Sequence, residues 1–474
     1  MKIPNRKSKE KYRLIETNWP DFGTFQQPGP HTFEEFQRRI NLIKDKLDEF
    51  KLTHLIVYGD REHFANLMYL TGFDPRYEEA LLIISKNKLP LMLVGNECEN
   101  YLNISPLYKK GKIRKEKYQF FSLLNQPTDE SRSLKEIFVE EEINKNSTIG
   151  CVGWKYYFNK NGLFDLHAIE IPSFIVDILR EIAGFDNVLN STRIFMNPED
   201  GIRTSCTPAE IAFFEYSNIM SSEGMKNVLM GISDNVLDYE LIKMINYTGM
   251  PLSCHISVSS GSNYAYGLSS PNGYLIKKGE PFSTNISYRG SNICRAGWVA
   301  YSENDMPNNA KDYIDNFAGK YFEGMAEWFR LLKIGTLGGE INNIISNKLP
   351  FQKFGIYLNP GHLIHLDEWV SSPIFKGSKI ILHSGMYLQS DVIPNSKRYF
   401  SSRAEDGYVL ADKDLRLRLK KEFPDVYRRC QKRRNFMIDI LNLEISEEVL
   451  PLSNIPALIP PFLLNKNKFF AMAD

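Results

Sequence analysis

Apolar side chains follow two different spacings along the first 200 residues. From Phe33 to Phe50 they recur every three or four positions behind a potential N-cap at Thr32, which predicts an amphipathic helix. Short continuous apolar runs predict strands at 54–58, 80–84 and 90–94, the last two as a hairpin-like or sequential pair. Helical stretches near 133–143 and 172–183 alternate with short runs at 148–152 and 167–171. This alternation predicts an α/β domain.

The second half opens with Thr207-Pro208-Ala209-Glu210, which combines an N-cap, a proline in the first turn and a capping-box acid. We expect this amphipathic helix to continue to Ile232. Further helices are predicted at 237–247, at 308–333 and from Gly338, and strands at 253–258, 272–276, 282–288, 379–383, 386–393 and 406–411. The order predicts two α-α-β units around a curved antiparallel sheet.

These patterns divide the chain into four regions. Residues 1–31 are polar and form an arm, 32–200 an α/β domain, 201–430 a second domain, and 431–474 an extension. The stretch 185–206, rich in Asn, Pro and Gly, predicts the connection between the domains. The extension contains the run LPLSNIPALIPPFLL, which we expect to pack on the body of the protein or in a subunit interface.

Composition excludes several classes of protein. The chain has 58 Lys and Arg against 57 Asp and Glu, a net charge of +1, which argues against nucleic-acid binding and against an anionic membrane as partners. No apolar run approaches the roughly 18 residues of a membrane span. Six cysteines occur with no CxxC pair, and the first residues lack an apolar segment. We therefore expect reduced thiols and a cytoplasmic protein.

Polar residues concentrate in three segments of the second domain, at 285–295, at 359–369 and at 385–394 with 404–407. His362 follows Pro360-Gly361, a pair that can turn the backbone sharply and present the imidazole. Asp391 ends one strand-like run, and Glu405 precedes another. One imidazole and two carboxylates converging from neighbouring strands can bind a divalent cation. Alone, such residues are also common as structural or solvated groups.

The sequence from about residue 33 to about 430 resembles the creatinase/prolidase/aminopeptidase P family, the M24 "pita-bread" metallopeptidases. In the N-terminal half the resemblance rests on 58–73 and 76–80. In the C-terminal half it rests on the helix start at Thr207, the motifs Lys278-Gly279-Glu280-Pro281, Gly335 to Glu340, Pro360-Gly361-His362, Gly385-Met386 and Glu405-Asp406-Gly407. It implies a creatinase-like N-terminal α/β domain followed by a pita-bread domain with a curved antiparallel sheet.

Active members of that family, as the resemblance implies, hold two divalent metals with Asp, Asp, His, Glu and Glu. His362 matches the metal His, Asp391 the first Glu and Glu405 the second. Asn285 and Asn292 fall where the two Asp residues are expected. Four carboxylates would offset two dications, but only two remain, so a dinuclear site is not expected. Either one Mn or Zn ion binds His362, Asp391 and Glu405, with Asn285 as a further ligand, or no metal binds.

Two further histidines of the family are also missing. Tyr264 follows the Gly261-Ser262-Asn263 segment where a substrate His is expected, and Glu368-Trp369 stand in place of another. Three hypotheses follow: a metal-independent hydrolase of amide, peptide or guanidino C–N bonds, for which creatinase is the precedent; a mononuclear Xaa-Pro-type aminopeptidase or dipeptidase; and a non-catalytic protein that binds a peptide or a small molecule.

In the first hypothesis, Glu405 or Asp391 activates a water molecule and His362 shuttles the proton. Candidate substrate-binding residues are Asn285, Asn292, Arg295, Trp369 and Tyr264. Alternatively, the two asparagines hydrogen-bond strand ends and the aromatic residues belong to the core or the rim. The resemblance also implies a homodimer, in which Arg61–Asn66 and Arg76–Glu79 could line the neighbour's site or make contacts within their own domain.

Overall fold

The computed structural model describes residues 11–473, so ten residues of the predicted arm lie outside the described part of the chain. Two compact units are present. One comprises residues 29–203, and the other combines 11–28 with 204–473. The first strand of the second unit, β1 (Tyr12–Glu16), therefore precedes the whole of the first unit in the sequence. Among residues 11–473, no helix is both long enough and apolar enough to span a membrane.

The unit at 29–203 is an α/β domain around one sheet with the strand order β5-β4-β3-β2-β6-β7. Its strands are β2 (His54–Gly59), β3 (Ala80–Ser85), β4 (Leu91–Val94), β5 (Arg114–Lys117), β6 (Ile149–Val152) and β7 (Val188–Asn190). Its α-helices are α1 (Phe33–Glu49), α2 (Ala65–Thr71), α3 (Cys98–Tyr101), α4 (Pro106–Lys109), α5 (Leu134–Glu140), α6 (Ser173–Ala183) and α7 (Arg193–Met196). Strands β2, β3 and β4 are antiparallel neighbours, which confirms the predicted hairpin.

Helix α1 forms as its sequence predicts. The Thr32 hydroxyl accepts a hydrogen bond from the Glu35 amide at 3.3 Å, which satisfies one of the free donors of the first turn. Of the apolar positions at three- and four-residue steps, Phe36, Ile40, Ile43 and Leu47 are buried, the last two completely. Burial of this face, more than helix propensity, holds the helix on the sheet.

Two predictions for this unit need correction, and one strand was not predicted. The run 167–171 is not a strand, because Glu170 instead accepts hydrogen bonds from the amides of Trp154 (2.6 Å) and Lys155 (2.9 Å) and holds the segment against a loop. The stretch 185–206, predicted as a connection, contains β7 and α7. Strand β5 was not predicted, since its sequence, Arg-Lys-Glu-Lys, is the charged type typical of a sheet edge.

The second unit contains two four-stranded antiparallel sheets, β15-β12-β11-β9 and β13-β14-β16-β17. Its later strands are β8 (Val236–Leu237), β9 (Ser257–Ser260), β10 (Leu275–Ile276), β11 (Pro281–Ile286), β12 (Ile293–Trp298), β13 (His362–Leu363), β14 (Tyr387–Gln389), β15 (Arg403–Glu405), β16 (Gly407–Leu410), β17 (Val449–Pro451) and β18 (Lys468–Met472). Its α-helices are α8 (Pro208–Gly231), α9 (Asp238–Lys243), α10 (Gly319–Leu331), α11 (Gly338–Lys348), α12 (Phe351–Phe354), α13 (Lys413–Glu422) and α14 (Pro424–Asp439). Asp406 alone separates β15 from β16, so the chain passes directly from one sheet to the other.

Helix α8 differs from the amphipathic helix that the sequence predicts. Its capping box is present, with reciprocal hydrogen bonds between Thr207 and Glu210. Buried residues lie on all its sides, however, including polar ones such as Ser217 and Ser221, which is the pattern of a helix inside the core. The Ser221 hydroxyl lies 2.6 Å from that of Ser291, and this contact fixes the turn between β11 and β12.

The other helices and strands of this unit depart from prediction mainly at their ends. Helix α9 is shorter than 237–247, a π-helical turn at Ile314–Ala318 precedes α10, and the run 379–383 contributes only an isolated bridge between Ile381 and Leu337. The apolar run of the C-terminal extension is buried, and β18 pairs antiparallel with β1.

Candidate functional site

Three strands of the second unit bring the predicted site residues together. His362 begins β13 directly after Gly361. The φ of Gly361 is +117°, a backbone conformation that residues other than glycine rarely adopt. Glu405 ends β15, and Asp391 lies just beyond β14. His362 and Glu405 are completely buried, and Asp391 is 5% exposed.

The carboxylates of Asp391 and Glu405 are joined by Arg403, a residue that the sequence argument did not select. Its Nη2 atom lies 2.8 Å from Asp391 Oδ1 and also donates to Glu405 Oε2. Arg403 and Glu405 are two residues apart on one strand, so both side chains project from the same face. A guanidinium remains protonated at any physiological pH, and this positive charge is therefore permanent.

His362 lies between two carboxylates. Its Nε2 atom is 3.3 Å from Glu368 Oε1 and 3.9 Å from Asp391 Oδ2, and its ring stacks on Trp369 with centroids 4.2 Å apart. Burial by itself lowers the pKa of His362, but the charges of Glu368, Asp391 and Glu405 outweigh it and raise the pKa to about 9. The imidazole is therefore held in its protonated form near neutral pH.

Glu405 is a carboxyl group that has no contact with solvent. Burial and the neighbouring charge of Asp391 raise the pKa of Glu405 to about 8, although the Arg403 cation acts in the other direction. Both oxygens accept hydrogen bonds, Oε1 from Asn292 at 3.0 Å and Oε2 from Arg403.

Asn285 and Asn292 meet across the turn that joins β11 to β12. Asn285 Nδ2 lies 3.4 Å from Asn292 Oδ1, and Asn285 Oδ1 accepts from the amide and the hydroxyl of Ser257. Asn292 Nδ2 donates to Glu405 and, at 3.4 Å, to Glu368 Oε1. A carboxylate at position 292 could not donate these bonds. The asparagines thus hold the strand ends and the acids together.

A cavity of about 800 Å³ opens above these groups. Asp391, Arg403 and Glu368 line it, together with Asn285 and Asn292. Trp369 and Tyr264 also line it, and Tyr264 packs edge-on against Phe400 with centroids 5.1 Å apart. Burial raises the pKa of Tyr264 to about 12, so its hydroxyl remains a hydrogen-bond donor. His362 and Glu405 lie behind this wall, in contact with residues that form it.

Arg295 does not fit the substrate contact predicted for it. It is fully buried, and its Nη2 lies 3.0 and 2.9 Å from the two carboxylate oxygens of Asp406. Successive residues of a strand face opposite sides, so Cys294 lines the cavity while Arg295 points into the core behind the sheet. We therefore assign Arg295 to the framework of the site.

The two groups that sequence reasoning missed are Arg403 and Glu368. The position of Arg403, two residues before Glu405 on the same strand, was a usable signal for the first. Glu368 was noticed only as the replacement of a histidine. The structure places it 25% exposed at the cavity, within reach of His362 and Asn292.

The residues suggested for a neighbouring subunit make contacts within their own unit. Asp60 accepts hydrogen bonds from the amides of Glu62 and His63, and Asn66 Nδ2 donates to the Gly153 carbonyl at 2.8 Å. Arg76 Nε donates to the Tyr101 hydroxyl at 2.9 Å. These contacts correspond to the intradomain alternative.

No protein-family model matches this sequence, and no curated protein does. Solved structures do match. The prolidase from Thermococcus sibiricus superposes with a TM-score of 0.61 at 17% identity, over 80% of this chain and 95% of that one. The prolidase from Pyrococcus horikoshii superposes with a TM-score of 0.60 at 14% identity, over 80% of this chain and 95% of that one. A putative aminopeptidase P from Bacillus anthracis superposes with a TM-score of 0.56 at 12% identity, over 82% of this chain and 98% of that one.

The chain has the creatinase/prolidase fold. This confirms the predicted fold class, an α/β domain followed by a pita-bread domain. The resemblance of the motifs and the similarity of the structures agree over most of the chain. Sequence identities as low as these establish the fold only, so the chemistry has to be argued from the residues of the site.

The dinuclear metal centre implied by the pita-bread resemblance does not fit the residues of this site. Asn285 and Asn292 are neutral and engaged with protein groups, and Arg403 already bridges the two remaining acids. One smaller set remains among the described residues: His362, Glu368 and Glu405 each offer a ligand atom within 4.8 Å of the others. It contains Glu368 in place of the predicted Asp391.

Proposed function

We propose that the protein is a hydrolase of C–N bonds in a small amide, peptide or guanidino substrate, acting without a dinuclear metal centre. The observation that carries this proposal is the position of His362 Nε2, 3.3 Å from one cavity-lining carboxylate and 3.9 Å from another. An imidazole so placed can pass a proton between two groups that face the substrate. Similar structures include a Xaa-Pro dipeptidase from Bacillus anthracis, which supports this class of reaction.

The reaction would use the wall residues Asp391 and Glu368 together with His362 and Glu405, which lie behind them. Asp391 or Glu405 accepts a proton from water, and the resulting hydroxide attacks the carbonyl or guanidino carbon. The proton passes by way of His362 to Glu368, which delivers it to the departing nitrogen as the C–N bond breaks. One water molecule is consumed, and an amine is released. Of the two candidate bases, Asp391 lines the cavity and its Oδ2 faces His362.

Substrate binding would fall to the remaining lining residues. The amides of Asn285 and Asn292 and the hydroxyl of Tyr264 offer polar contacts, and the indole of Trp369 offers an apolar face. The cavity volume, about 800 Å³, is within the range usual for small-molecule sites.

The test is turnover of Xaa-Pro dipeptides and of creatine-like guanidino compounds in the presence of a chelator. We expect Asp391→Asn and His362→Gln to lower kcat by about 100-fold or more, the usual contribution of a proton-transfer group. His365→Gln is the matched control, because His365 is also buried but its Nε2 lies 3.2 Å from Glu210, which does not line the cavity. Equal losses in the variants and the control would contradict the proposal.

Two other functions have specific support. The His362, Glu368 and Glu405 set favours a mononuclear metallohydrolase of Xaa-Pro substrates, for which Mn²⁺ or Zn²⁺ would be needed for turnover. The extensive internal pairing of Arg403 and the asparagines favours a non-catalytic protein that binds a peptide or a small molecule. If no substrate is turned over with or without these metals, the result favours the binding function.

We also propose that the protein is a cytoplasmic homodimer. The resemblance supports the dimer. The cysteines support a reducing compartment, since none of the six, all within residues 11–473, forms a disulfide and five are buried. Light scattering on the purified protein tests the dimer, and a monomer at micromolar concentration would contradict it.

A further inference from the structure

The Arg403 guanidinium occupies the position of a bridging cation. One nitrogen, Nη2, donates to an oxygen of Asp391 and to an oxygen of Glu405. A single donor shared between two carboxylates is the arrangement that a metal ion between those carboxylates would have. Arg403 also lines the cavity, whereas Glu405 is completely buried behind it.

The other carboxylate oxygen of Glu405 is also engaged. Glu405 Oε1 accepts from Asn292 at 3.0 Å, so both oxygens of this carboxylate are engaged. Asn292 in turn lies 3.4 Å from Asn285, whose own oxygen accepts from Ser257. A metal at this place would have to displace Arg403 and compete with Asn292.

Displacing Arg403 is costly for electrostatic reasons. Its side chain is 15% exposed, and among residues 11–473 no other acid lies within salt-bridge distance of it. An unpaired guanidinium at a partly buried position loses solvation without compensation. A dication that entered beside it would add like-charge repulsion at a few ångströms.

We infer that Arg403 replaces the metal of this fold: it is an internal cation that pairs with Asp391 and Glu405 and excludes divalent ions from a site that still contains His362, Glu368 and both acids. The replacement is permanent, because a guanidinium does not lose its proton in this environment. The site is therefore a latent metal site that one side chain keeps closed.

This inference rests on the proposed function and deepens it by assigning the residue that keeps a metal out of the site. Its readout is metal content, which is independent of turnover. A protein that hydrolyses nothing could still exclude metal through Arg403, and an active protein could still bind one ion, so the two proposals can fail separately.

The experiment is equilibrium dialysis of the full chain against micromolar Zn²⁺ and, separately, Mn²⁺, followed by elemental analysis. We expect the wild type to retain no stoichiometric metal and Arg403→Met to retain about one equivalent, through the imidazole and carboxylates that Arg403 leaves free. Arg403→Lys keeps a cation at this place and should retain far less metal than Arg403→Met. Adding His362→Ala to Arg403→Met should abolish the gain.

Three results would overturn the inference. The first is a stoichiometric ion in the wild type, removable by a chelator, and this arm needs no variant. The second is an Arg403→Met protein with a native circular dichroism spectrum and no bound metal. The third is retention of the ion in the double variant, which would place it elsewhere. If Arg403→Met does not fold, Arg403→Gln supplies a neutral side chain that can still donate hydrogen bonds to both acids.

Discussion

Arg295 and Asp406 form an ion pair in which neither side chain is accessible to solvent, with Nη2 3.0 and 2.9 Å from the carboxylate oxygens. The pair lies behind the sheet that carries the candidate site. Arg295 also donates to the Ile455 carbonyl at 2.6 Å, and Asp406 accepts from the Ala457 amide at 3.0 Å. The pair therefore anchors the C-terminal extension to the strands beneath the cavity.

Asp406→Asn should destabilise the protein strongly. The substitution leaves the Arg295 charge buried without a counter-charge, which typically costs about 3–5 kcal/mol. Urea unfolding measures the change. Asp425→Asn is the matched control, because Asp425 pairs with Arg428 at a similar distance but both side chains are about two-thirds exposed, and screened pairs contribute little. Similar losses in the two variants would contradict this account.

Trp369→Leu should weaken turnover of whichever substrate the protein hydrolyses. The indole stacks on His362 and restrains the orientation of the imidazole between Glu368 and Asp391. An aromatic pair contributes about 0.5–1.5 kcal/mol, which corresponds to a loss of up to about tenfold in kcat. Trp369→Phe retains an aromatic face and should lose less. If the phenylalanine and leucine variants were equally slow, stacking would not be the cause.

Gly290→Ala should disturb the turn that positions Asn292. Gly290 has a φ of +83°, and a Cβ there would lie 2.4 Å from a ring carbon of Phe214. We expect a loss of more than the roughly 1–2 kcal/mol that a left-handed backbone conformation costs a residue with a Cβ atom. Gly335→Ala is the matched control, since Gly335 has a φ of +90° and no atom within 4 Å of the added Cβ. Chemical denaturation of both variants separates clash from backbone strain.

Lys466 should make the free energy of unfolding of the protein depend on pH. Its ammonium donates to the carbonyls of Leu229, Ile232 and Leu463, each at 2.7 Å, and burial lowers its pKa to about 8. In the unfolded chain the pKa is about 10.4, so between these values the unfolded state binds more protons and stability rises with pH.

The corresponding measurement is the difference in unfolding free energy between wild type and Lys466→Arg at several pH values from 7.5 to 10. The arginine keeps the charge but does not titrate in this window. We expect the wild type to gain stability relative to the variant above about pH 8. A constant or falling difference would show that Lys466 is not the titrating group.

The fold could be predicted from the sequence where spacing and caps coincide. Thr32 and Thr207 marked helix starts that the structure contains, and the apolar runs at β2, β3 and β6 were continuous. Strand β5 could not be predicted, because its four residues are all charged and its pairing depends on its neighbour β4. Strand β7 was hidden within a stretch whose Asn and Pro residues are typical of a loop.

For the site, the sequence was sufficient to propose His362, Asp391 and Glu405. The residues that surround them depend on which face of each strand a side chain projects from. Counting in twos along β12 separates Cys294 from Arg295, and counting in twos along β15 joins Arg403 to Glu405. Strand alternation would thus have removed one candidate and added another. The approach of Glu368 to His362 depends on a loop and on tertiary packing, which no local pattern encodes.

The pairing of β1 with β18 has a consequence for the order of folding. Residues 29–203 are contiguous and can fold while later segments are still being synthesised. Tyr12 must wait for Met472, its register partner, which is synthesised after every other strand of the described residues. The unit that contains the candidate site is therefore completed late, and until then the first strand has an exposed edge that another chain could occupy.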